Sequence, residues 1–167
     1  MISFFWNFEG NFEEKFIAMY NIIKDYIENS VTINITNKEI KKDSFLKKDY
    51  NKKIRDNIDE KHGVYIWYAD GKIIYIGKGG SINVNGEKKE HNLCKRLIAS
   101  RGKDKNNNKD IQTKKYIKNI IESDEVKNFE IKVFYTKNDI PAGYVECLLL
   151  FEFYKKQKKL PKYNKSF

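Results

Sequence analysis

The chain is poor in the residues that staple, kink or fork a fold. Its 167 residues include two cysteines, two prolines, two histidines and three arginines. Cys94 and Cys147 give no disulfide framework and no zinc-ligand spacing, so the reading is a reduced, cytoplasmic protein in which both thiols are packing residues. No apolar run approaches the ~20 residues of a membrane span, and the start shows no basic-then-apolar leader. The opening cluster of Phe4, Phe5, Trp6 and Phe8 is too short, and too acidic downstream, for a signal peptide. A membrane is therefore not an expected partner. With 40% apolar and 14% aromatic residues, the composition excludes disorder. A chain of this length builds a core without staples.

What the chain has in excess is lysine. Thirty-three basic against twenty-three acidic side chains leave a net charge of +10. That favours a polyanionic partner such as nucleic acid. The bland alternative is solubility and coding bias, because the basic side chains are 30 Lys, accompanied by 18 Asn. Where Lys is the default, an Arg marks a place that wants a planar, always-charged fork. The charge is also uneven. Residues 1–30 carry two Lys against five acids, whereas 155–167 carry six Lys and no acid. The basic C-terminal end is thus the better candidate for polyanion contact.

Periodicity divides the chain into elements. Asn11 followed by Glu14 reads as a helix start, and Phe12, Phe16, Tyr20, Ile23 and Ile27 recur at helical spacing over 11–29. Val31–Ile35 is alternating and β-branched, a short strand. Leu46, Tyr50, Ile54 and Ile58 predict a second helix over 43–59. Gly63–Tyr68 and Lys72–Ile76 flank Asp70-Gly71, the signal of a two-residue hairpin. Pairing Ala69 with Lys72 and Tyr68 with Ile73 puts Tyr65 near Ile76. Helices are expected over 91–100 and 110–122, with a polar loop between them at 102–110. Phe129, Ile131, Val133 and Tyr135 alternate as a third strand of this unit. Pro141 opens a last helix to 158. The order β-β-α-α-β-α predicts an α+β fold.

Several residues on these elements could carry chemistry. Tyr65 and Tyr75 come close on the hairpin, although strand tyrosines are commonly half-buried packing residues. Gly77-Lys78-Gly79-Gly80 offers amides and a cation, without the spacing of a P-loop. Arg96 follows on a predicted helix and reads as a phosphate clamp or as a surface cation. Glu146 stands early in an apolar helix, where a charge is paired, coordinating or on the helix's edge. Glu152 is six residues on and projects from another face.

Together these residues resemble the GIY-YIG nuclease family. The likeness is carried by Gly63-Val64-Tyr65, Tyr75-Ile76-Gly77-Lys78, Leu93-Cys94-Lys95-Arg96-Leu97, a later Glu and the closing Pro161-Lys162-Tyr163-Asn164. It runs from about 63 to 164 and implies a nuclease-like domain over 61–167 behind an N-terminal helical extension over 1–60. The implied fold is a small three-stranded antiparallel sheet flanked by helices. The implied activity is hydrolysis of DNA phosphodiester bonds with one divalent ion per site, Mg²⁺ or Mn²⁺. On that resemblance Tyr65 is the general base and Tyr75 its supporting phenol. Lys78 matches a family lysine, Arg96 is the phosphate clamp, Glu146 the metal ligand, and Asn164 braces the site. The family's metal-binding Glu is commonly followed three and four residues later by apolar residues. Leu149 and Leu150 fit Glu146, whereas Lys155 and Lys156 follow Glu152. Glu152 has the more usual distance to Pro161, so the choice falls on Glu146 by helical facing. Where many members carry Tyr or His one turn after the clamp Arg, this chain has Ser100. Either Tyr116, His91 or Arg101 substitutes for it, or that role is absent.

The chemistry implied is coherent. A phenol with a pKa near ~10 is a poor base at neutral pH unless nearby cations favour the phenolate. Mg²⁺ keeps most of its waters and needs only one or two carboxylates. The leading expectation is thus a metal-dependent DNA endonuclease, either of restriction or mobile-element type or of repair type. The alternatives are a basic nucleic-acid-binding module that does not cleave, and a soluble domain whose charge is compositional. The Phe/Trp-rich residues 4–20 are read either as a contact between subunits of a homo-oligomer or as core.

Overall fold

The computed structural model describes residues 12–103 and 110–166. Asn11 and the cluster Phe4, Phe5, Trp6 and Phe8 lie outside the described residues. Helix α1 (Phe12–Ile23) leads through one 3₁₀ turn into strand β1 (Ile27–Thr36). A short helix α2 (Asn37–Ile40) and a wide turn at 45–49 precede α3 (Tyr50–Asn57). The hairpin of β2 (Gly63–Ala69) and β3 (Lys72–Gly79) follows, then α4 (Leu93–Ile98). A ribbon of β4 (Ser100–Lys103) and β5 (Asp110–Gln112) leads to α5 (Thr113–Ser123). Strand β6 (Asn128–Thr136) and α6 (Ala142–Gln157) complete the elements.

The main sheet is antiparallel, with order β1-β6-β2-β3. It has four strands where three were expected. The fourth is β1, drawn from the segment expected as a helical extension. The helix expected over 11–29 ends at Ile23, and after the 3₁₀ turn the residues from Ile27 onward take up the free edge of β6. Val31 faces Val133 and Ile33 faces Ile131 across that pair, a β-branched match that a strand uses better than a helix.

Both faces of the sheet are covered. On one, Tyr65, Trp67, Ile131, Val133 and Ile35 meet Ile54, Leu97 and Ile117 from α3, α4 and α5. On the other, Val64, Ile66, Ile76 and Phe134 meet Ile23 of α1 and Val145 and Leu149 of α6. Strand β2, between β6 and β3, is buried at every position. Such a strand reads as a continuous apolar run rather than an alternating one.

Two local departures have clear causes. Before α3, Tyr50 N–H donates to Phe45 C=O, a turn wider than an α-helix. The extra residue makes Phe45 the buried side chain where Leu46 was expected. In the hairpin, Asp70 and Gly71 have φ of 46° and 75°, the two-residue turn the sequence signals. Ala69 pairs with Lys72 and Tyr68 with Ile73 as expected, but Trp67 pairs with Tyr75 and Tyr65 with Gly77. Ile74 is therefore an extra residue, a β-bulge, and everything after it in β3 moves one position relative to the expected register. The loop expected at 102–110 is in part the β4–β5 ribbon, and residues 104–109 lie outside the described structure. Pro141 stands as the N-cap of α6, just ahead of its first helical residue.

Helix α4 approaches β3 closely because Gly79 has no side chain. A Cβ on Gly79 would stand 2.4 Å from Leu93 Cα and 2.6 Å from Leu93 N. Backbone cannot yield as a flexible side chain can. Gly79→Ala should therefore cost about 1–3 kcal/mol of stability by overpacking, read as a lowered midpoint in urea unfolding. An unchanged midpoint would mean that α4 is not seated on β3 as described.

Candidate active site

The bulge at Ile74 sorts the residues of β3 between the two faces. Tyr75 joins Tyr65 and Trp67 on the α4–α5 face, with ring centroids 5.8 Å from Tyr65 and 4.9 Å from Trp67. Gly77 lies opposite Tyr65. A Cβ there would stand 2.8 Å from the Tyr65 hydroxyl and 2.6 Å from the Tyr75 ring. The missing side chain is what lets the two phenol rings close over this stretch of β3. Tyr65 itself is fully buried. Trp67 continues the aromatic run to Tyr116, and Tyr116 meets Tyr163.

Lys78, one residue on, falls on the α6 face. Its Nζ donates to Glu146 Oε2 at 2.6 Å. The lysine is 40% exposed and the carboxylate 18%. An ion pair this open to solvent contributes only ~0–1 kcal/mol, so it is readily exchanged for another partner. Beyond Lys78 the strand ends at Gly79-Gly80, and a cavity of about 260 Å³ opens there. It is lined by Lys78, Gly80, Ser81, His91, Arg96 and Glu146. Three of the sequence-derived residues, Lys78, Arg96 and Glu146, thus converge from β3, α4 and α6. Asn92 caps α4 by accepting the Lys95 N–H at 2.9 Å, which fixes the turn that carries Arg96.

Tyr65 and Tyr75 are not on the cavity wall. They lie on the α4–α5 side of the strand whose end forms that wall. Asn164 is also outside the cavity, with a different task. Its side-chain amide accepts from Ile76 N–H at 2.9 Å and donates to Ile76 C=O at 2.8 Å. It acts as one residue of a missing neighbour strand along the open edge of β3. Tyr163 N–H donates to Ile74 C=O at 2.9 Å, so the bulge is held from the same side. The C-terminal segment is tied down in turn by Asp124, which accepts from Lys162 Nζ at 2.6 Å and from the Tyr163 hydroxyl at 2.8 Å. Those two hydrogen bonds hold the Asp124 carboxyl below its ordinary range. Asp124 was not singled out in the sequence, where it reads as a loop acid after α5.

The remaining candidates separate. Glu152 pairs with Lys155 at 3.0 Å and does not line the cavity. Of the three substitutes for the position of Ser100, His91 lines the cavity, Tyr116 belongs to the aromatic cluster, and the Arg101 side chain lies outside the described residues. Cys94 is a buried packing residue as expected, whereas Cys147 is exposed. Burial, then the charges of Arg96, Lys95 and His62, hold the His91 imidazole below its ordinary value.

The donor set can be tested against a metal ion. Among the described residues no three His, Cys, Asp or Glu side chains converge. One carboxylate on an open cavity fits a hydrated oxygen-preferring ion such as Mg²⁺, with further ligands from water and a bound anion. It does not fit zinc, which takes three or four protein ligands. Two cations and one carboxylate give the wall an excess of positive charge suited to phosphate. No family profile, curated protein or solved structure matches the chain, and no described helix is long and apolar enough to cross a membrane.

Two outcomes follow. Asn164→Ala leaves both backbone groups of Ile76 without their amide partner and should cost about 1–3 kcal/mol in thermal or urea unfolding. A loss well under that range would show that solvent replaces the amide at this edge. The His91 ring should titrate in an NMR pH series with a midpoint below 6.5. The unfolded chain binds that proton more readily, so His91 contributes stability that is present above the unfolded value and lost as pH falls towards the folded one. His91→Asn should flatten that part of the acid slope.

Proposed function

We propose that the chain is a metal-dependent endonuclease of GIY-YIG type that hydrolyses DNA phosphodiester bonds. The observation that carries this reading is the convergence of Lys78, Arg96 and Glu146 on one cavity at the end of β3. The net charge of +10 supports a polyanionic substrate. In this reading Arg96 grips two oxygens of the scissile phosphate through its planar fork. Lys78 adds a point charge on the same cavity. Tyr65 is the base that the resemblance implies. Because its ring is buried off the cavity wall, this step requires substrate binding to open a path to its hydroxyl. It also requires the hydroxyl to be in its phenolate form when it takes the proton of the attacking water. The water oxygen bonds to phosphorus as the bond to the 3′ oxygen breaks, leaving a 5′-phosphate and a 3′ oxygen that takes up a proton from solvent to become a hydroxyl. Glu146 would hold one Mg²⁺ or Mn²⁺. A bound ion of this kind stabilises charge on the phosphate and on the leaving oxygen. Asn164 keeps β3 in register behind the site.

Within this reading a restriction-type enzyme is the sharper version, and it requires cleavage at one short sequence. A smear of products from varied DNA would remove it and leave a repair or branched-DNA nuclease.

The test is nicking of supercoiled plasmid in Mg²⁺ or Mn²⁺, beside EDTA. Arg96→Ala and Glu146→Gln should each lose on the order of 10²–10³ in rate, the scale for removing a group that stabilises transition-state charge. Tyr65→Phe should lose on the order of 10²–10⁴ if the phenol is the base. Circular dichroism of each variant checks that the fold is kept. A wild type that binds DNA with the salt dependence of phosphate contacts, yet cuts none of several DNAs in either metal, overturns the nuclease and leaves a non-cleaving binding module.

A further inference from the structure

We infer that Lys78 holds the metal-binding carboxylate closed until a phosphate arrives, so that divalent-ion binding and nucleic-acid binding at this cavity are linked. The inference rests on the nuclease reading above, and it assigns Lys78 a role that the resemblance leaves open.

The geometry is direct. Lys78 Nζ lies 2.6 Å from Glu146 Oε2. An ammonium bonded to that oxygen competes with a divalent ion for the same lone pairs, and its charge repels the ion. Glu146 is the one carboxylate among the residues lining the cavity, so no second acid compensates. Arg96 on the same cavity adds another positive charge. In the free protein, therefore, the cavity favours an anion over a dication.

A phosphate changes each of these terms. Its oxygens give Lys78 an acceptor at least as good as the carboxylate, in a charge-assisted bond. Its negative charge offsets Arg96 and Lys78 together, and it brings an oxygen ligand of its own. The lysine has the freedom to make this exchange, because its ammonium sits on a flexible four-carbon stem. Gly143, three residues before Glu146 on α6, leaves only the room of its missing side chain beside the lysine, since an added Cβ there would already touch Lys78 Nζ at 3.8 Å. Once Lys78 turns to the phosphate, the Glu146 carboxylate is free for the ion. Linkage makes the effect reciprocal, so the ion must tighten nucleic-acid binding by the same factor.

The experiment is a Mn²⁺ titration followed by the electron paramagnetic resonance signal of the free ion. It is run on wild type, Lys78→Met and Glu146→Gln, each alone and with a mixed-sequence DNA duplex, with DNA alone subtracted. Wild type should bind Mn²⁺ weakly alone, and at least about fivefold more tightly with duplex, the lower end of ordinary coupling factors. Lys78→Met, which keeps the stem and removes the ammonium, should bind Mn²⁺ more tightly than wild type without DNA. Its gain on adding duplex should be smaller than that of wild type, because only the phosphate's offset of Arg96 and its own oxygen ligand remain. Glu146→Gln should lose the site in both conditions. Wild-type affinity that is unchanged by Lys78→Met and by duplex overturns the inference even where plasmid is cut. Linked Mn²⁺ binding in a wild type that never cuts overturns the nuclease reading and leaves the linkage standing.

Discussion

A β-strand deals its side chains to the two faces of a sheet in alternation, so one extra residue reassigns every side chain after it. In this protein the extra residue is Ile74. Without it Tyr75 would oppose Ile66 and turn towards α6, away from Tyr65. Lys78 would turn towards α4 and away from Glu146. Gly79 would no longer lie under Leu93, and the close seat of α4 would be lost. The phenol pair, the Lys78–Glu146 contact and the approach of α4 all descend from this one bulge. Bulges are known to re-aim side chains near functional sites, and here the strand after it forms one wall of the candidate cavity.

A bulge on an edge strand needs support, because β3 has a neighbour on one side only. Exposed edges are also a liability for association. The C-terminal segment answers both needs. Tyr163 bonds the carbonyl of the bulged residue itself, and the Asn164 amide satisfies both backbone groups of Ile76. Asp124 then anchors Lys162 and Tyr163 to the end of α5. The edge is thus closed at 74 and 76, and the cavity begins at Lys78, where this cover ends. Asn164 belongs to the candidate site through the strand it holds and does not line the cavity.

How much of this was legible in the sequence depends on whether a feature leaves a local mark. The hairpin did, because Asp70-Gly71 demands two positive φ values. Strand β6 did, because its residues alternate. Helix α6 did, within a residue or two at each end. The bulge did not: Ile73, Ile74, Tyr75 and Ile76 are all apolar, so no alternation exists to show where it slips. The fourth strand was seen as a β-branched run at 31–35. Its place on the edge of β6 is a long-range pairing that no local pattern encodes, and its helical phase with α1 hid its first residues. Asp124 was missed for the same reason, since its partners are 38 and 39 residues away. Lys78, Arg96 and Glu146 were found through short motifs, and their shared cavity supports reading them together. The same motifs gave no sign that Tyr65 would be fully buried, because a phenol's access depends on what packs over it.

The two cations of the cavity are chemically unequal, and the difference fits their positions. Thirty lysines against three arginines make Lys the default cation of this chain. Arg96 stands on a capped helix seated on the sheet, where a guanidinium presents a fixed fork and keeps its charge. Lys78 stands near the end of an edge strand with a flexible stem and a compact charge that can change partner. A proposed phosphate site needs both kinds of group: one that defines where the anion sits, and one that can leave a carboxylate when the anion comes. Exchanging the two residues would preserve the net charge of the cavity. It would put the rigid fork on the mobile stem's strand and the exchangeable ammonium on the capped helix, so both tasks would fail while the electrostatic sum stayed the same.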